Sequence, residues 1–301
     1  MRWLGRRESS NIEDRRGIGG GRGMRAGIGG IGAVAIILIG LLFGIDPNTL
    51  FAILGDDPAP QTQTRQSDSP GYGPSSAPSR QVAGNDPAAR FVSVVLADTE
   101  DVWRQTFRDM GRTYRDPTLV LFTGAVESAC GMASSASGPF YCPRDEKLYL
   151  DLSFFEEMRR RLGAPGDFAQ AYVIAHEVAH HVQNELGILP AANAERARSD
   201  RRRSNAISVR LELQADCIAG VWANRAERMR QILESGDIEE GLNAASAVGD
   251  DRLQRRARGV VVPDAFTHGS SAQRVHWFRT GLQNGDLRAC DTFSVAGLGG
   301  D

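Results

Sequence analysis

Lysine, histidine and cysteine are all scarce in this chain of 301 residues, which has one lysine, five histidines and four cysteines. Arginine therefore carries nearly all of the positive charge, and we interpret this as codon bias rather than as a recognition device. The net charge of −2 and the isoelectric point near 6.2 predict no general attraction to nucleic acid, so no nucleic-acid partner is expected. Hydrophobic residues make up 41% of the sequence, which excludes a wholly disordered protein and allows one or two domains with a buried core.

The few cysteines include no C-x-x-C pair, which argues against a zinc site built from cysteine. All four follow the apolar run near the amino terminus and would lie on the far side of an anchor formed by that run. If that side is oxidising, two disulfides are the simple expectation. Cys130 and Cys142 flank a turn rich in glycine and serine, so we pair them, which leaves Cys217 to pair with Cys290.

One long uncharged run occurs near the amino terminus. Residues 1–26 carry seven arginines against three acidic residues, and residues 27–45 then contain no charge. Nineteen such residues are just enough to cross a bilayer as a helix. Arginines before the run and aspartates after it predict a cytoplasmic amino terminus and an extracytoplasmic remainder. A cleaved signal peptide is the alternative, but no small-x-small site follows closely and the basic region is long for one.

Residues 46–87 are rich in proline, serine, glutamine and glycine from residue 56 onward, and this composition predicts a flexible tether. Residues 88–301 form the predicted folded domain. It opens with helix-like spacing of apolar residues up to Pro117, followed by two strand-like segments, TLVLFTGAV and KLYLDLSFF, and then by several helices. The sequence therefore predicts an α+β fold that is mainly helical and contains a small antiparallel sheet.

The segment AYVIAHEVAHHVQNELG, residues 171–187, contains the pattern His-Glu-x-x-His inside an apolar helix. His176 and His180 are four residues apart, so they share one helix face and can bind one metal ion. Glu177 can reach a water molecule at the metal and take a proton from it, as a general base. The alternative is a wet helix face, but the apolar residues on all sides of these polar groups disfavour it.

A catalytic zinc ion needs a third protein ligand and one open position. Glu212 and Asp216 are four residues apart on a predicted helix that is otherwise largely apolar. One acid can bind the metal while the other holds a ligand histidine by its free ring nitrogen. We predict Glu212 as the ligand and Asp216 as the partner of the histidine. The alternative is that both acids only pair with arginines such as Arg210.

Four segments in this order resemble the bacterial family of putative neutral zinc metallopeptidases. They are CGMASSASGPFYCPRDEKLYLD, HEVAHHVQ, LELQADCIAGVWA and FTHGSSAQRVHWF, and the likeness runs from about residue 90 to 293. The resemblance implies a zincin-like domain, a Zn²⁺ ion and a peptide or protein substrate. A more distant similarity to prenyl-protein-processing and heat-shock membrane proteases implies that the first acid of Glu-x-x-Ala-Asp, Glu212, binds zinc. Those enzymes have several membrane spans, whereas this sequence has one candidate, which argues against substrates within the membrane.

Two residues further along the chain, His268 and Arg274, are catalytic candidates. Either can place a positive or donating group opposite a developing oxyanion. A structural role is an equal alternative for both, and for Arg274 it would be as a partner of Asp216 or of a helix end. His181 points about 100° away from its neighbour around the helix, so we predict packing or a hydrogen bond rather than ligation.

These patterns predict an endopeptidase anchored in the bacterial inner membrane by a single span, with its zinc domain in the periplasm. By analogy with other peptidases, residues 147–152 are predicted to be the sheet edge that binds substrate as an added strand. The alternative is a non-catalytic envelope protein in which zinc ties helices together for a binding or structural role. Hydrolysis of a bond other than a peptide bond also stays open.

Overall fold

The structure, a computed structural model, describes residues 1–17 and 86–294. The predicted membrane span at residues 27–45 lies outside these residues, as does almost all of the predicted tether. No helix in the described part of the chain is both long enough and apolar enough to cross a bilayer. The fold is mainly helical with small sheets, as the sequence predicts.

The helices are α1 (Pro87–Asp109), α2 (Ser153–Glu157), α3 (Asp167–Glu185), α4 (Ile188–Arg196), α5 (Arg201–Arg230), α6 (Asp237–Ala247), α7 (Asp250–Arg258) and α8 (Ser271–Asn284). The strands are β1 (Ile12–Asp14), β2 (Thr118–Phe122), β3 (Ala125–Ser128), β4 (Gly131–Ser134), β5 (Phe140–Cys142) and β6 (Lys147–Asp151). Single helical turns cover Ser135–Ser137, Met158–Leu162, Pro263–Ala265 and Leu287–Cys290.

Four strands form one sheet in the order β1-β2-β6-β5, and β3 and β4 form a separate antiparallel hairpin. β1 and β6 both run parallel to β2, and only β5 is antiparallel to its neighbour β6. The expected small antiparallel sheet is therefore corrected to a mixed one. The connection from β2 to β6 contains a hairpin and another strand, so the chain can return to the same end of the sheet and run parallel.

Alternate residues of β2 and β6 face different clusters of apolar side chains. Leu119 and Leu121, paired in register with Leu148 and Leu150, pack into the large core beneath the helices. Val120 and its neighbours on the opposite face pack under the hairpin. This two-residue alternation places one face of the sheet against the helices that carry the chemistry.

Residues 1–17 belong to the same folded unit as the rest of the described chain. β1 extends the sheet, with Ile12 in register with Leu119. Arg6 pairs with the buried Asp98 of α1 at 2.6 Å. Arg16 forms an ion pair with Asp86, the residue that caps the start of α1. The end of the first described range, at residue 17, and the start of the second, at residue 86, therefore lie close together.

This packing corrects the predicted boundaries. Residues 1–26 were expected to stand apart from a domain that begins at residue 88, on the opposite side of a membrane. A segment that is hydrogen-bonded into the sheet of a domain lies on the same side of any membrane as that domain. β1 therefore places residues 1–17 with the domain that was predicted to begin at residue 88. The sequence did not reveal this strand, because Ile-Glu-Asp is too short to show an alternating pattern.

Helices α5 and α8 pack with their backbones in contact at two glycines. A Cβ atom at Gly281 would lie 1.8 Å from the carbonyl oxygen of Cys217, and one at Gly220 would lie 2.2 Å from that of Phe278. Any larger residue at either position would force the helices apart. The close contact fixes which side chains of α8 meet α5, and this sets the place of Arg274 in the site.

Both predicted disulfides are confirmed. Cys130 bonds to Cys142, which joins the turn of the β3-β4 hairpin to the end of β5. Cys217 bonds to Cys290, which joins α5 to the turn after α8. The second bond closes a span of 73 residues, so it ties distant parts of the helical layer together.

Candidate metal centre

Helix α3 brings the His-Glu-x-x-His residues to a cleft of about 550 Å³. His176, Glu177 and His180 all line it, whereas the flanking alanines and valines of the helix are buried in the core. The helix therefore exposes its metal-binding face to the cleft and buries the rest. This is the arrangement that the spacing of the two histidines predicts.

Glu212 of α5 faces the two histidines across the cleft. Its carboxylate oxygens lie 3.1 Å from His176 Nε2 and 3.5 Å from His180 Nε2. One ligand atom from each of the three residues lies within 4.8 Å of the others, which suits coordination of a single ion. Burial alone would raise the pKa of Glu212, but the two histidines hold it well below its ordinary value. The carboxylate is thus ionised, as a metal ligand must be.

Asp216 lies one turn further along α5 and holds His176 from behind. Its Oδ1 accepts a hydrogen bond from His176 Nδ1 at 3.0 Å, which leaves Nε2 directed at Glu212 and the cleft. Tyr172 also donates its hydroxyl to Asp216. Burial would raise the pKa of Asp216, but Arg274 and His176 lower it, so the carboxylate stays charged. These are the contacts that the sequence predicts for a carboxylate that orients a metal ligand.

Arg274 is 3% exposed and donates from Nε and Nη2 to the two carboxylate oxygens of Asp216, at 2.8 and 2.9 Å. This paired geometry between a guanidinium and a carboxylate is the strong form of ion pair. Of the two roles weighed for Arg274, the contacts favour the structural one. Arg274 also reaches the cleft wall, so a direct role in catalysis stays a prediction.

His180 is oriented by a residue that sequence reasoning missed. Gln183 Oε1 lies 2.9 Å from His180 Nδ1, so His180 Nε2 is left free for the ion. The amide nitrogen of Gln183 in turn donates to the carbonyl of Leu211 at 2.8 Å, which anchors it to α5. The signal available in the sequence was the spacing of three residues after His180 on the same helix.

Glu177 is half-buried in the cleft, and its carboxylate makes no hydrogen bond or ion pair with any residue from 1–17 or 86–294. The other two acids at the centre of the site have partners: Glu212 contacts the histidines, and Asp216 contacts His176 and Arg274. An uncommitted carboxylate beside two metal-binding histidines can accept a proton from a water molecule in the cleft.

His268 enters the cleft from the loop between α7 and α8. Asp250 holds this loop by accepting the backbone N–H groups of Thr267, His268 and Gly269 on one carboxylate oxygen. Burial would lower the pKa of His268, but its contact with Asp250 Oδ1 at 3.3 Å and the charge of Glu212 raise it. The side chain is half-exposed toward the cleft, so it can donate a hydrogen bond there.

His181 points away from the cleft and into the core, as predicted from its position around the helix. It is fully buried, with Nδ1 at 3.0 Å from the hydroxyl of Tyr141 and Nε2 at 2.7 Å from the carbonyl oxygen of Arg115. Because a carbonyl only accepts, Nε2 carries the proton and Nδ1 accepts from Tyr141. His181 therefore fixes β5 against α3 and is not a metal ligand.

The sheet edge beside the cleft is β5 and not the segment predicted. Residues 147–151 form β6, which lies between β2 and β5 and has a paired strand on each side. β5 pairs only with β6 among the described strands, and Phe140 and Tyr141 line the cleft. The sequence could not rank the two strands because their order depends on the sheet topology.

A helix with two histidines and a glutamate, a carboxylate from a second helix and an open cleft form the arrangement that a zinc metallopeptidase of the His-Glu-x-x-His class requires. The comparison with protein families agrees. The chain belongs to the putative neutral zinc metallopeptidase family, whose model matches residues 1–293. The match includes the amino-terminal strand, and it confirms the resemblance noted in the sequence.

Relatives of this chain extend over nearly its whole length. It is 47% identical over 300 residues to the uncharacterized protein YpfJ of Escherichia coli K12, covering 97% of this chain and 99% of that protein. It is 41% identical over 269 residues to the uncharacterized protein Rv2575 of Mycobacterium tuberculosis H37Rv, covering 86% of each. No solved structure matches the chain. The more distant similarity to prenyl-protein-processing and heat-shock proteases finds no support in these comparisons and stays a prediction.

Proposed function

We propose that the protein is a zinc-dependent endopeptidase that uses Glu177 as its general base. The observation that carries the proposal is the convergence of His176, His180 and Glu212 within 4.8 Å, in an open cleft and beside a carboxylate that bonds to no described residue. A structural zinc site is closed by a fourth protein ligand, often cysteine. Here all four cysteines are in disulfides, and the three donors face open space.

The donor set fits Zn²⁺. Two imidazole nitrogens and one carboxylate oxygen are the ligands of catalytic zinc in several peptidase classes. Asp216 and Gln183 bond to Nδ1 of His176 and His180, which leaves Nε2 of each ring for the ion. A bound zinc ion would supply Lewis acidity, which lowers the pKa of a water molecule so that it can lose a proton and attack a carbonyl near neutral pH. His176, His180 and Glu212 would hold it.

The residues of this chain then have separate tasks. Glu177 accepts a proton from the attacking water and can return it to the amine that leaves. His268, half-exposed toward the cleft and with a raised pKa, donates a hydrogen bond to the oxygen of the scissile carbonyl as negative charge develops there. Asp216 and Arg274 act behind the histidine and keep its ring oriented.

The edge of β5 that no described strand covers offers a place for an extended substrate. A peptide that adds to this edge would run along the cleft wall formed by Phe140 and Tyr141. The tie between Tyr141 and His181 links that wall to the metal helix. Main-chain hydrogen bonds would then hold the peptide, which is consistent with a peptide or protein as the substrate.

We further propose that the protein works on the outer side of the bacterial inner membrane, attached through the apolar run at residues 27–45. Two disulfides support an oxidising compartment. Because residues 1–17 pack on the domain, this proposal sets them on the same outer side as the cleft.

Removal and restoration of the metal test the proposal. Treatment of the full chain with a strong chelator should abolish cleavage of an unfolded protein such as casein, and about one equivalent of Zn²⁺ should restore it. Cleavage that continues without bound metal would contradict the proposal. If zinc instead had the alternative, purely structural role, its removal would lower the melting temperature of a protein that cleaves nothing in either state.

A further inference from the structure

Beyond the metal-binding residues, the lining of the cleft includes three polar residues, here called the polar corner: Asn193 and Arg196 of α4 and Ser208 of α5. Ser208 lies four residues before Glu212 on the same helix, which is about 6 Å along the helix axis. An extended peptide covers about 3.3 Å per residue, so this distance corresponds to about two residues of substrate. The corner is therefore within reach of groups near the bond that is cleaved.

Arg196 has few hydrogen-bond acceptors among the described residues. Nε is buried and has no hydrogen-bond partner within residues 1–17 and 86–294. Nη1 donates to Asn193 Oδ1 at 3.2 Å, a neutral acceptor on the same helix. A guanidinium offers five N–H donors, and described residues accept from Nη1 alone, so the buried Nε in particular lacks an acceptor.

The acids near Arg196 are committed to other groups. Glu195 pairs with Arg203 at 2.7 Å, and the Asp200 side chain accepts the backbone N–H of Arg203 at the start of α5. Glu212 faces the two histidines. No described residue therefore supplies Arg196 with a carboxylate.

Two other cationic side chains that line the cleft, Arg274 and His268, each contact a carboxylate. Arg274 makes a paired contact with Asp216, and His268 lies 3.3 Å from Asp250. Among the described residues of the cleft, Arg196 is thus the permanent positive charge without a counter-charge. An anion from outside the chain would complete its contacts.

We propose that Arg196, together with its neighbour Asn193, binds a carboxylate of the peptide substrate in the cleft that Ser208 also lines. The planar fork of a guanidinium matches a carboxylate through two parallel hydrogen bonds. The carboxylate belongs either to a glutamate or aspartate side chain near the cleaved bond or to the free carboxyl terminus of the peptide. The proposal rests on the proposed peptidase function, because it assigns a preference to the same cleft.

The experiment compares four forms of the full chain: wild type, Arg196→Gln, Arg196→Lys and Arg198→Gln. Arg198 is exposed, lies just after α4 and does not line the cleft, so Arg198→Gln is a control for the loss of one positive charge. Each form is incubated with a synthetic peptide library in which Glu or Gln occupies each position in turn, and every peptide is made with a free and an amidated carboxyl terminus. Mass spectrometry reports the cleaved bonds.

Wild type and Arg198→Gln should favour Glu over Gln at one fixed position by roughly tenfold or more, or should favour free over amidated carboxyl termini by a similar factor. The first result assigns the carboxylate to a side chain, and the second assigns it to the peptide terminus. Arg196→Gln should lose the preference, and Arg196→Lys should retain part of it. An unchanged preference in a folded Arg196→Gln protein would overturn the proposal.

A binding measurement separates this proposal from the peptidase function. The same library is presented to zinc-loaded Glu177→Gln protein, with and without the additional Arg196→Gln change, and retained peptides are identified. Selective retention of carboxylate-bearing peptides that depends on Arg196 would support the carboxylate site even if no form cleaves a peptide. Retention by both proteins that distinguishes neither Glu from Gln nor free from amidated carboxyl termini would reject it, whatever the outcome of the cleavage assay.

Discussion

Asp216 is the residue on which most contacts of the site converge. It is fully buried, charged, and bonded to the metal ligand His176, to Tyr172 and to Arg274. Such a residue affects both the metal and the fold, because each of its partners is buried as well. Neutralisation of Asp216 should therefore lower the affinity for zinc more than it changes the shape of the cleft.

The Asp216→Asn variant tests this role. Its amide keeps the size of the side chain but leaves the buried Arg274 without a counter-charge, and we expect zinc affinity to fall by about 10- to 100-fold. Competition for zinc with a chromogenic chelator measures the change. Asp264→Asn, at an exposed carboxylate 3.5 Å from Arg202, is the matched control and should bind zinc like wild type. Equal affinities in all three proteins would refute this role for Asp216.

The adjacent histidines should respond to substitution in different ways. His181→Phe keeps the ring contacts with Tyr114 and Tyr141 but leaves the Tyr141 hydroxyl and the Arg115 carbonyl without their partner. We expect the free energy of unfolding to fall by about 1–3 kcal/mol per unsatisfied group, with zinc content unchanged. His180→Phe should lose zinc instead. Urea unfolding measures the stability of both variants, and metal analysis measures their zinc content. Loss of zinc in folded His181→Phe would contradict the assignment.

At the residue scale, spacing alone identified the metal helix, because two histidines four residues apart must share a helix face. The acid pair on α5 was also visible as polar residues within an apolar run. Gln183 and Tyr172 were not predicted, because helical spacing of a glutamine or a tyrosine from a histidine is too common to single either residue out. The pairing of Arg274 with Asp216 joins residues 58 apart in sequence and depends on the glycine contact between α5 and α8.

At the scale of elements, β1 shows how the molecule is assembled. This three-residue strand lies at one edge of the sheet, and the segment that contains it is tied to α1 by Arg6 and Asp98. Ser9 adds a backbone hydrogen bond to the Ser93 carbonyl at 3.0 Å. A chain that begins at residue 86 would therefore expose the edge of β2 and leave the buried Asp98 with fewer cations.

Two shortened chains test the importance of this segment. One begins at residue 86, and the other joins residue 17 to residue 86 through a short glycine-serine linker, which the ion pair between Arg16 and Asp86 allows. We expect the linked form to fold and to bind zinc, and the form without residues 1–17 to melt at a clearly lower temperature or to aggregate. Differential scanning calorimetry compares them. Equal melting temperatures would show that β1 is dispensable.

The same elements show why topology was harder to predict than helices. The helical periods of α3 and α5 are long and continuous, so their existence follows from local pattern. The parallel pairing of β1 and β6 with β2 involves partners distant in sequence. A strand of three residues also has too few positions to show a period. The order of strands, and hence the edge that faces the cleft, was accessible only from the structure.

At the level of the whole molecule, residues 1–17 and the cleft belong to one folded unit. If residues 27–45 attach the protein to a membrane, the amino-terminal strand and the cleft still face the same compartment. The native cysteines are all in disulfides, so they leave no thiol background for a labelling experiment. The molecule is therefore well suited to site-directed cysteine labelling.

Single cysteines at Leu4 and Val260 test this topology, because their side chains are 75% and 63% exposed. In bacteria whose outer membrane has been made permeable, a maleimide that cannot cross the inner membrane should label Leu4→Cys and Val260→Cys equally. Cell lysis should add no further labelling of either variant. Labelling of Val260→Cys alone would place the amino terminus on the other side, as the sequence predicted, and would contradict the packing of β1.

Replacement of Glu177 by glutamine separates zinc binding from proton transfer in the proposed peptidase. Wild type and Glu177→Gln are purified in parallel, their zinc content is determined, and each is incubated with casein under the same conditions. We expect about one zinc ion per chain in both proteins, and loss of cleavage by at least about 100-fold in Glu177→Gln. Equal cleavage by the two proteins, or the absence of zinc from folded wild type, would contradict the account.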